Sequence, residues 1–173
     1  MAESPTIRRL VAADLDAYKT LRDAMLAGHP DAFTSDADAE RGKSAQAYLP
    51  RLGLDRVQGG HFTLGAWQAR QLQAVITCER DLRAKVRHMG HIVGMMVSPD
   101  ARGRGLGRAL LDACIAEARR ADGLELLTLS VTTTNRAAVQ LYERAGFTRY
   151  GRLPRAIKLG GSYFDKDLMA FTL

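Results

Sequence analysis

The sequence predicts a single α/β domain over residues 1–173, in which strand-like and helix-like segments alternate along the chain. Its length is sufficient for one hydrophobic core. Its composition, 46% hydrophobic and 25% charged residues, is ordinary for a globular protein. The spacing of apolar residues switches between the repeat of a strand and that of a helix. The predicted order of elements is β-α-α-β-β-β-α-β-α-β-β, with neither an internal repeat nor a domain linker.

The first half of the chain contains five of these elements. Apolar residues near one face predict the first helix, and alternating runs on either side of residues 68–71 predict a hairpin. The predicted segments are a strand at 6–10, helices at 14–26 and 44–52, and strands at 62–67 and 72–79. Residues 28–38 are predicted to form a long polar connection.

The second half begins with an apolar strand at 92–97, which is followed by a glycine-rich turn and an alanine- and leucine-rich helix. A β-branched strand at 126–131 precedes a second helix, which ends at Gly146. Two further strands, at 148–152 and 163–173, flank the pair Gly160-Gly161. Gly94, inside the strand at 92–97, is the expected position of a bulge.

The most informative segment is 97–108, Val-Ser-Pro-Asp-Ala-Arg-Gly-Arg-Gly-Leu-Gly-Arg. A glycine-rich turn between a strand and a helix directs backbone N–H groups and the positive end of the helix dipole at one point. Glycines let the backbone approach a phosphate closely, and arginines add charge-assisted donors. The segment therefore predicts a site for a di- or triphosphorylated cofactor. The alternative is a flexible basic turn between two elements.

The glycine spacing excludes two common phosphate loops. No lysine follows as in a Walker-type loop, and Leu110 stands where a dinucleotide fingerprint needs glycine. The remaining pattern, Arg-x-x-Gly-x-Gly at 102–107, resembles the acyl-CoA pyrophosphate loop of the GNAT superfamily of N-acetyltransferases. Residues 135–147, Asn-x-x-Ala-x-x-Leu-Tyr-Glu-x-x-Gly-Phe, resemble the family's second motif almost position by position.

The resemblance covers about residues 90–150 and implies the GNAT fold: a mixed, mostly antiparallel sheet split into a V, with helices on both faces. It also implies acetyl-CoA as co-substrate. In the family, the strand before the loop holds the pantetheine and polarises the thioester through backbone N–H groups. The residues to which cofactor binding is thereby assigned are Met95, Met96, Val97, Arg102, Gly103, Arg104, Gly105, Leu106, Gly107, Arg108 and Asn135.

Asn135 and Tyr142 are seven residues apart, so they share one face of the helix about two turns apart. Asn135 also suits an N-cap, and Tyr142 suits an aromatic packed between helix and sheet. The resemblance implies that Asn135 contacts the CoA arm and that Tyr142 is the general acid for the departing thiolate. A thiolate is a tolerable leaving group that a nearby phenol can still assist.

The identity of the general base stays open. The alternatives are two side chains, a water relay, and deprotonation of the amine in bulk solvent. Family members commonly place a carboxylate or histidine six residues before the position of Val97, which is His91 here. Glu79, at the end of the preceding strand, is the second candidate. Ribosomal alanine N-acetyltransferases instead carry glutamate five residues before the motif's asparagine, where this chain has Ser130. That departure argues against a ribosomal-protein substrate.

Composition and charge limit the other classes of function. The net charge of +6 comes from arginines scattered along the chain, and aromatic residues are only 6%, so we expect no nucleic-acid partner. We expect no signal peptide, membrane span or metal site, and the two cysteines, Cys78 and Cys114, are predicted to be buried thiols of a cytoplasmic protein. A homodimer is possible, as is common in such folds.

The expected function is transfer of an acetyl group from acetyl-CoA to a primary amine of a small molecule, in a ternary complex. The alternatives are a protein N-terminal or lysine acetyltransferase and a non-catalytic acyl-CoA sensor. Acceptor binding is expected in residues 27–43 and 154–166. Acidic residues of the first segment (Asp31, Asp36, Asp38 and Glu40) could attract an amine, whereas Arg155, Lys158 and Tyr163 of the second could bind a carboxylate or phosphate. The sequence leaves these two acceptor chemistries open.

Overall fold

The computed structural model describes residues 5–56 and 58–173. Its strands are β1 Thr6–Arg9, β2 Phe62–Gln68, β3 Gln71–Arg80, β4 Met89–Val97, β5 Leu126–Thr132, β6 Thr148–Leu159 and β7 Ser162–Thr172. Its α-helices are α1 Leu15–Gly28, α2 Ala37–Arg41, α3 Leu106–Arg119 and α4 Arg136–Ala145. A 3-10 helix, Ala45–Leu52, connects α2 to β2.

The seven strands form one sheet in the order β1-β2-β3-β4-β5-β7-β6. Every neighbouring pair is antiparallel except β4 and β5, which run parallel, so the prediction of a mixed, mostly antiparallel sheet is confirmed. The predicted hairpin between β2 and β3 is present. Its two turn residues, Ala69 and Arg70, both have positive φ angles, as a two-residue hairpin turn of the primed type requires.

The sheet opens between β4 and β5. These strands pair only over Met89–His91 and Leu126–Thr128, although β4 continues to Val97. Gly94 has φ +58°, and the register between β3 and β4 shifts opposite it, so the bulge that the sequence predicts is present. Beyond His91, the ladder described for β4 continues only on its β3 side.

Apolar side chains cover both faces of the sheet. On one face α3 and α4 pack against the central strands, with Leu110, Cys114 and Phe147 fully or nearly fully buried. On the other face α1 and the 3-10 helix pack over β3 and β4 through Tyr18 and Tyr48. Helices therefore lie on both faces, which places the opening between β4 and β5 among α1, α3 and α4.

Two element predictions were incomplete. The polar connection ends at α2, a five-residue helix too short and too charged to show an apolar face, whose N-cap Asp36 accepts the N–H of Ala39 at 2.9 Å. Strand β6 runs to Leu159 and not to residue 152. It contains Pro154, which a strand tolerates at a sheet edge and near a bulge, and Arg155 with φ +53° lies where its register shifts.

A buried ionic network attaches α2 to α1. The guanidinium Nε of Arg22, only 3% exposed, lies 3.2 Å from Oε2 of Glu40. Glu40 also accepts hydrogen bonds from Tyr48 at 2.8 Å and Lys43 at 2.5 Å. Burial alone would raise the pKa of the Glu40 carboxyl. The three hydrogen bonds outweigh burial and lower that pKa to about 2.

We expect Glu40→Gln to lower the free energy of unfolding by roughly 2–3 kcal/mol at pH 7, because it leaves Arg22 buried without its counter-charge. The folded pKa lies below the ordinary value of 4.5, so the carboxylate's contribution is complete above about that pH and is lost as the pH falls toward 2. The difference in free energy of unfolding between wild type and Glu40→Gln should therefore narrow as the pH falls over that range, as measured by urea unfolding.

Asp38→Asn is the matched control. Asp38 is on the same helix and pairs with Arg41 in an exposed ion pair, so its loss should change stability by less than about 0.5 kcal/mol. Equal effects of the two substitutions would contradict the importance of the buried network.

Candidate active site

The glycine-rich turn has the backbone conformation that its sequence predicts. Gly103 and Gly105 have φ angles of +72° and +76°, in the left-handed region that favours glycine. A Cβ atom at either position would meet no atom within 4 Å, so the space beside both is open. Helix α3 begins at Leu106, directly after Gly105, and its first N–H groups and the positive end of its dipole face this open space.

A cavity of about 520 Å³, here called the cofactor cavity, lies beside this turn. Ten of the eleven residues assigned to cofactor binding line it, as does Tyr142. The ten are Met95, Met96, Val97, Arg102, Gly103, Gly105, Leu106, Gly107, Arg108 and Asn135. Arg104, the eleventh, is exposed and outside the lining.

The arginines of the turn have different partners. Nη2 of Arg102 lies 2.8 Å from Nε2 of His29, and its Nε donates to the carbonyl of Val97 at 3.2 Å. Arg108 donates to the carboxylate of Asp112 at 2.9 Å, so part of its charge is compensated within α3. Arg102 has no carboxylate within 4 Å among the described residues, so its charge remains available to an anion.

Helix α4 brings Asn135 and Tyr142 to the same cavity. Oδ1 of Asn135 accepts the N–H of Ala138 at 3.2 Å, so this residue is an N-cap as well as part of the lining. Tyr142 is buried, and its ring contacts Phe147 edge to face at 5.8 Å. Its hydroxyl donates to Sδ of Met95 on β4 at 3.3 Å. Burial raises the pKa of the Tyr142 phenol, so the group stays protonated at neutral pH.

A second cavity of about 270 Å³, here called the acceptor cavity, adjoins the first. The two cavities share Ala32, Phe33, Met95, Asn135, Ala138 and Tyr142. Among these shared residues, Tyr142 alone has an ionisable side chain. A group transferred from one cavity to the other would therefore pass the phenol.

The candidate bases lie to one side of this junction. Nδ1 of His91 is 2.6 Å from the Thr128 hydroxyl, and His91 faces Glu79 across the β3–β4 ladder. Neither side chain lines the cofactor or the acceptor cavity, whereas Val93, two residues further along β4, lines the acceptor cavity. Ser130, where the resemblance left no glutamate, also lines it.

The segment between α1 and α2 supplies lining that sequence reasoning assigned only broadly to the acceptor side. Ala32 and Phe33 line both cavities. The segment is tethered over the site by two hydrogen bonds: the hydroxyl of Thr132 donates to the carbonyl of Asp31, and Nζ of Lys166 donates to the hydroxyl of Thr34. Phe33, an aromatic residue in a polar connection, is the sequence signal that could have located it.

The sequence did not identify three cationic residues that line the acceptor cavity. Arg22, Arg51 and Lys166 come from α1, the 3-10 helix and β7, and they share no motif. By contrast, Arg155 and Lys158 lie over the exposed ring of Tyr163 and line neither cavity. The acidic residues have other roles, since Asp36 caps α2 and Glu40 pairs with Arg22.

Both cysteines are buried in the core, as predicted, and burial raises the pKa of the Cys78 thiol to about 12. Within residues 5–56 and 58–173, no three acidic, histidine or cysteine side chains are grouped as a metal ion would require. In the same part of the chain, each helix is too short or too polar to cross a membrane.

Comparison with known proteins shows the family. Residues 20–147 match the model of the acetyltransferase (GNAT) family. Mycothiol acetyltransferase of Geodermatophilus obscurus is 33% identical over 130 residues, covering 72% of this chain and 38% of that protein. An L-methionine sulfoximine/L-methionine sulfone acetyltransferase of Pseudomonas aeruginosa is 36% identical over 77 residues, 44% of each chain. The matched segments span less than half the length of these relatives.

Solved structures agree on the fold. A GNAT-family acetyltransferase from Streptococcus pneumoniae superposes with a TM-score of 0.85 at 25% identity, covering 98% of this chain and 99% of that one. A Salmonella typhimurium protein solved with its cofactor acetyl-CoA superposes with a TM-score of 0.80 at 24% identity, covering 99% and 95%. The predicted fold, including the sheet split into a V, is confirmed.

Proposed function

The chain belongs to the GNAT acetyltransferase family, and from this premise we propose that it transfers an acetyl group from acetyl-CoA to a primary amine of a small molecule. Transfer is direct, within a ternary complex. The observation that carries the proposal is the junction of the two cavities at the buried, protonated phenol of Tyr142. One cavity has the lining for a phosphorylated thioester donor, and the other has room for a small acceptor.

The cofactor cavity fits acetyl-CoA by its chemistry. The open space beside Gly103 and Gly105, where any side chain would intrude, suits close approach of a pyrophosphate to backbone N–H groups. Arg102 adds a cation without a carboxylate partner. Met95 and Leu141 contribute apolar lining suited to a pantetheine arm. When bound there, acetyl-CoA supplies the activated acetyl group.

Strand β4 is assigned the task of polarising the thioester. Because β4 and β5 stop pairing at His91, the N–H groups of residues 95–97 that point toward the gap have no strand partner there. Donors fixed in this way stabilise negative charge that develops on a carbonyl oxygen during acyl transfer. The side chains of Met95 and Met96 serve as lining.

Tyr142 is assigned the role of general acid. Its hydroxyl points at Met95 on β4, so the proton it donates lies at the strand that holds the thioester. Burial keeps the phenol protonated at neutral pH, so that its proton is in place for transfer to the thiolate as the C–S bond breaks. Its catalytic contribution lies in the leaving-group step.

The acceptor is proposed to be a small molecule because the acceptor cavity, about 270 Å³, has half the volume of the cofactor cavity. The names of the curated relatives, mycothiol acetyltransferase and L-methionine sulfoximine/L-methionine sulfone acetyltransferase, support a small-molecule acceptor. No catalytic base is assigned by contact: His91 and Glu79 stay candidates that would act through a water.

We expect Gly105→Val to abolish measurable acetyl-CoA binding in calorimetry, because a branched side chain at φ +76° strains the turn and fills the space proposed for the pyrophosphate. Gly160→Val is the control, since Gly160 has φ +58° in an equally open turn between β6 and β7. Both variants should lose similar stability, and unchanged acetyl-CoA affinity in Gly105→Val would remove the turn from the site.

We expect Tyr142→Phe to lower kcat about 10- to 1000-fold with little change in acetyl-CoA affinity, because phenylalanine keeps the ring contact with Phe147 and removes the proton donor. Tyr150→Phe, an exposed tyrosine on β6, should leave kcat unchanged. Thiol release from acetyl-CoA is the assay. A kcat within twofold of wild type would exclude the acid role.

We expect His91→Ala to alter the acid limb of the kcat/KM profile against pH if this imidazole accepts the amine's proton through a water. Thr128→Val, which removes the hydroxyl that contacts His91, tests whether orientation of the ring matters. A profile identical to wild type in His91→Ala would leave Glu79 or solvent as the proton acceptor.

A further inference from the structure

Resting on the proposed function, we infer that the acceptor amine carries a carboxylate, which the side chains of Arg51 and Lys166 bind in the acceptor cavity. The substrate class is therefore amino acids and related amino carboxylates.

Among the residues that the structure describes, the lining of the acceptor cavity contains three cationic side chains, Arg22, Arg51 and Lys166, and no aspartate or glutamate. The charge of Arg22 is compensated by the carboxylate of Glu40, whose Oε2 lies 3.2 Å from Nε of Arg22. Neither Arg51 nor Lys166 has a carboxylate within 4 Å among the described residues. The cavity therefore holds two positive charges in excess, of which a substrate carboxylate would offset one.

The carboxylates nearest in sequence to Lys166 are engaged elsewhere. Asp167 forms ion pairs with Arg149 and Arg152, and Asp165 accepts the N–H of Arg155 at 2.8 Å. Because successive side chains of a strand point to opposite faces, Lys166 faces away from both. Its described hydrogen-bond partner is the neutral hydroxyl of Thr34. Burial lowers the pKa of the Lys166 ammonium because it disfavours the charged form, and a bound anion would counteract that effect.

Arg51 places this charge near the reacting groups. Its Nη1 lies 3.5 Å from the position that a Cβ of Gly94 would occupy. Gly94 directly precedes Met95, whose sulfur accepts the Tyr142 hydroxyl. A carboxylate held by Arg51 would thus lie near the thioester-binding strand, which is where an amino group one or two carbons away needs to be.

The same charges would also assist the amine. Positive neighbours disfavour an ammonium ion and favour the neutral amine that attacks a thioester. An amino carboxylate satisfies both requirements, since its anionic end attracts the cations and its amine loses a proton more readily beside them. A simple diamine or polyamine would be repelled from the cavity.

The test compares each of the common L-amino acids with its own α-amide, with thiol release from acetyl-CoA as the assay. We expect at least one amino acid to be acetylated with kcat/KM ten or more times that of its amide. The amide has the more easily deprotonated amine, so a preference based on amine basicity alone would favour the amide. A preference for amides, polyamines or other amines without an anion would overturn the inference.

Variants locate the carboxylate. Lys166→Met and Arg51→Met should each raise KM for the preferred amino acid at least tenfold while leaving kcat/KM of its amide within about twofold. Lys158→Met, an exposed lysine outside both cavities, should change neither. A merely structural role of Lys166 would depress both substrates equally, and that result would overturn the assignment.

Thermal shift with acetyl-CoA distinguishes loss of the proposed function from loss of the proposed acceptor class. No shift would remove the proposed function itself. A shift without turnover of any amino acid, or with turnover only of amines that lack a carboxylate, would leave the donor site in place and overturn the inference about the acceptor.

Discussion

The early end of pairing between β4 and β5 is the constraint on which the candidate site depends. Three residue pairs hold the parallel strands together, and beyond His91 they part. A closed sheet at this place would cover the N–H groups of β4 and leave no room between the strands. The separation creates both cavities, and it lets Tyr142 on α4 reach Met95 on β4. The helices on the two faces then enclose the opening.

Positive charge in the opening has two separate sources. On the cofactor side, positive charge comes from Arg102, glycine-exposed N–H groups and the dipole of α3, all within one short segment. On the acceptor side it comes from Arg51 of the 3-10 helix and Lys166 of β7. Arg22 also lines the acceptor side, but its buried ion pair with Glu40 is neutral overall and fixes α2 and the preceding segment in place. Tyr142 lies between the two charged regions and is itself uncharged.

Sequence reasoning succeeded where the determinants are local. The turn at 102–107 was predictable because its glycines and arginines are contiguous, and α4 because its cap, aromatic position and glycine stop lie within thirteen residues. The acceptor cavity was not, since Arg22 and Lys166 are distant in sequence and meet only through tertiary packing. Helix α2 is too short to show a period, and Pro154 concealed the length of β6. Where His91 lies relative to the cavities likewise depends on where β4 and β5 part.

The interruption of β6 has a consequence for association. An outermost strand presents unpaired N–H and C=O groups, and a straight one twelve residues long would be a template for another chain to extend the sheet. Pro154 removes a donor, Arg155 at φ +53° breaks the register, and arginines on both sides add like charge. The opposite edge, β1, is only four residues long. Both margins of the sheet thus resist intermolecular strand addition, which protects a protein with such a wide open sheet from aggregating edge to edge.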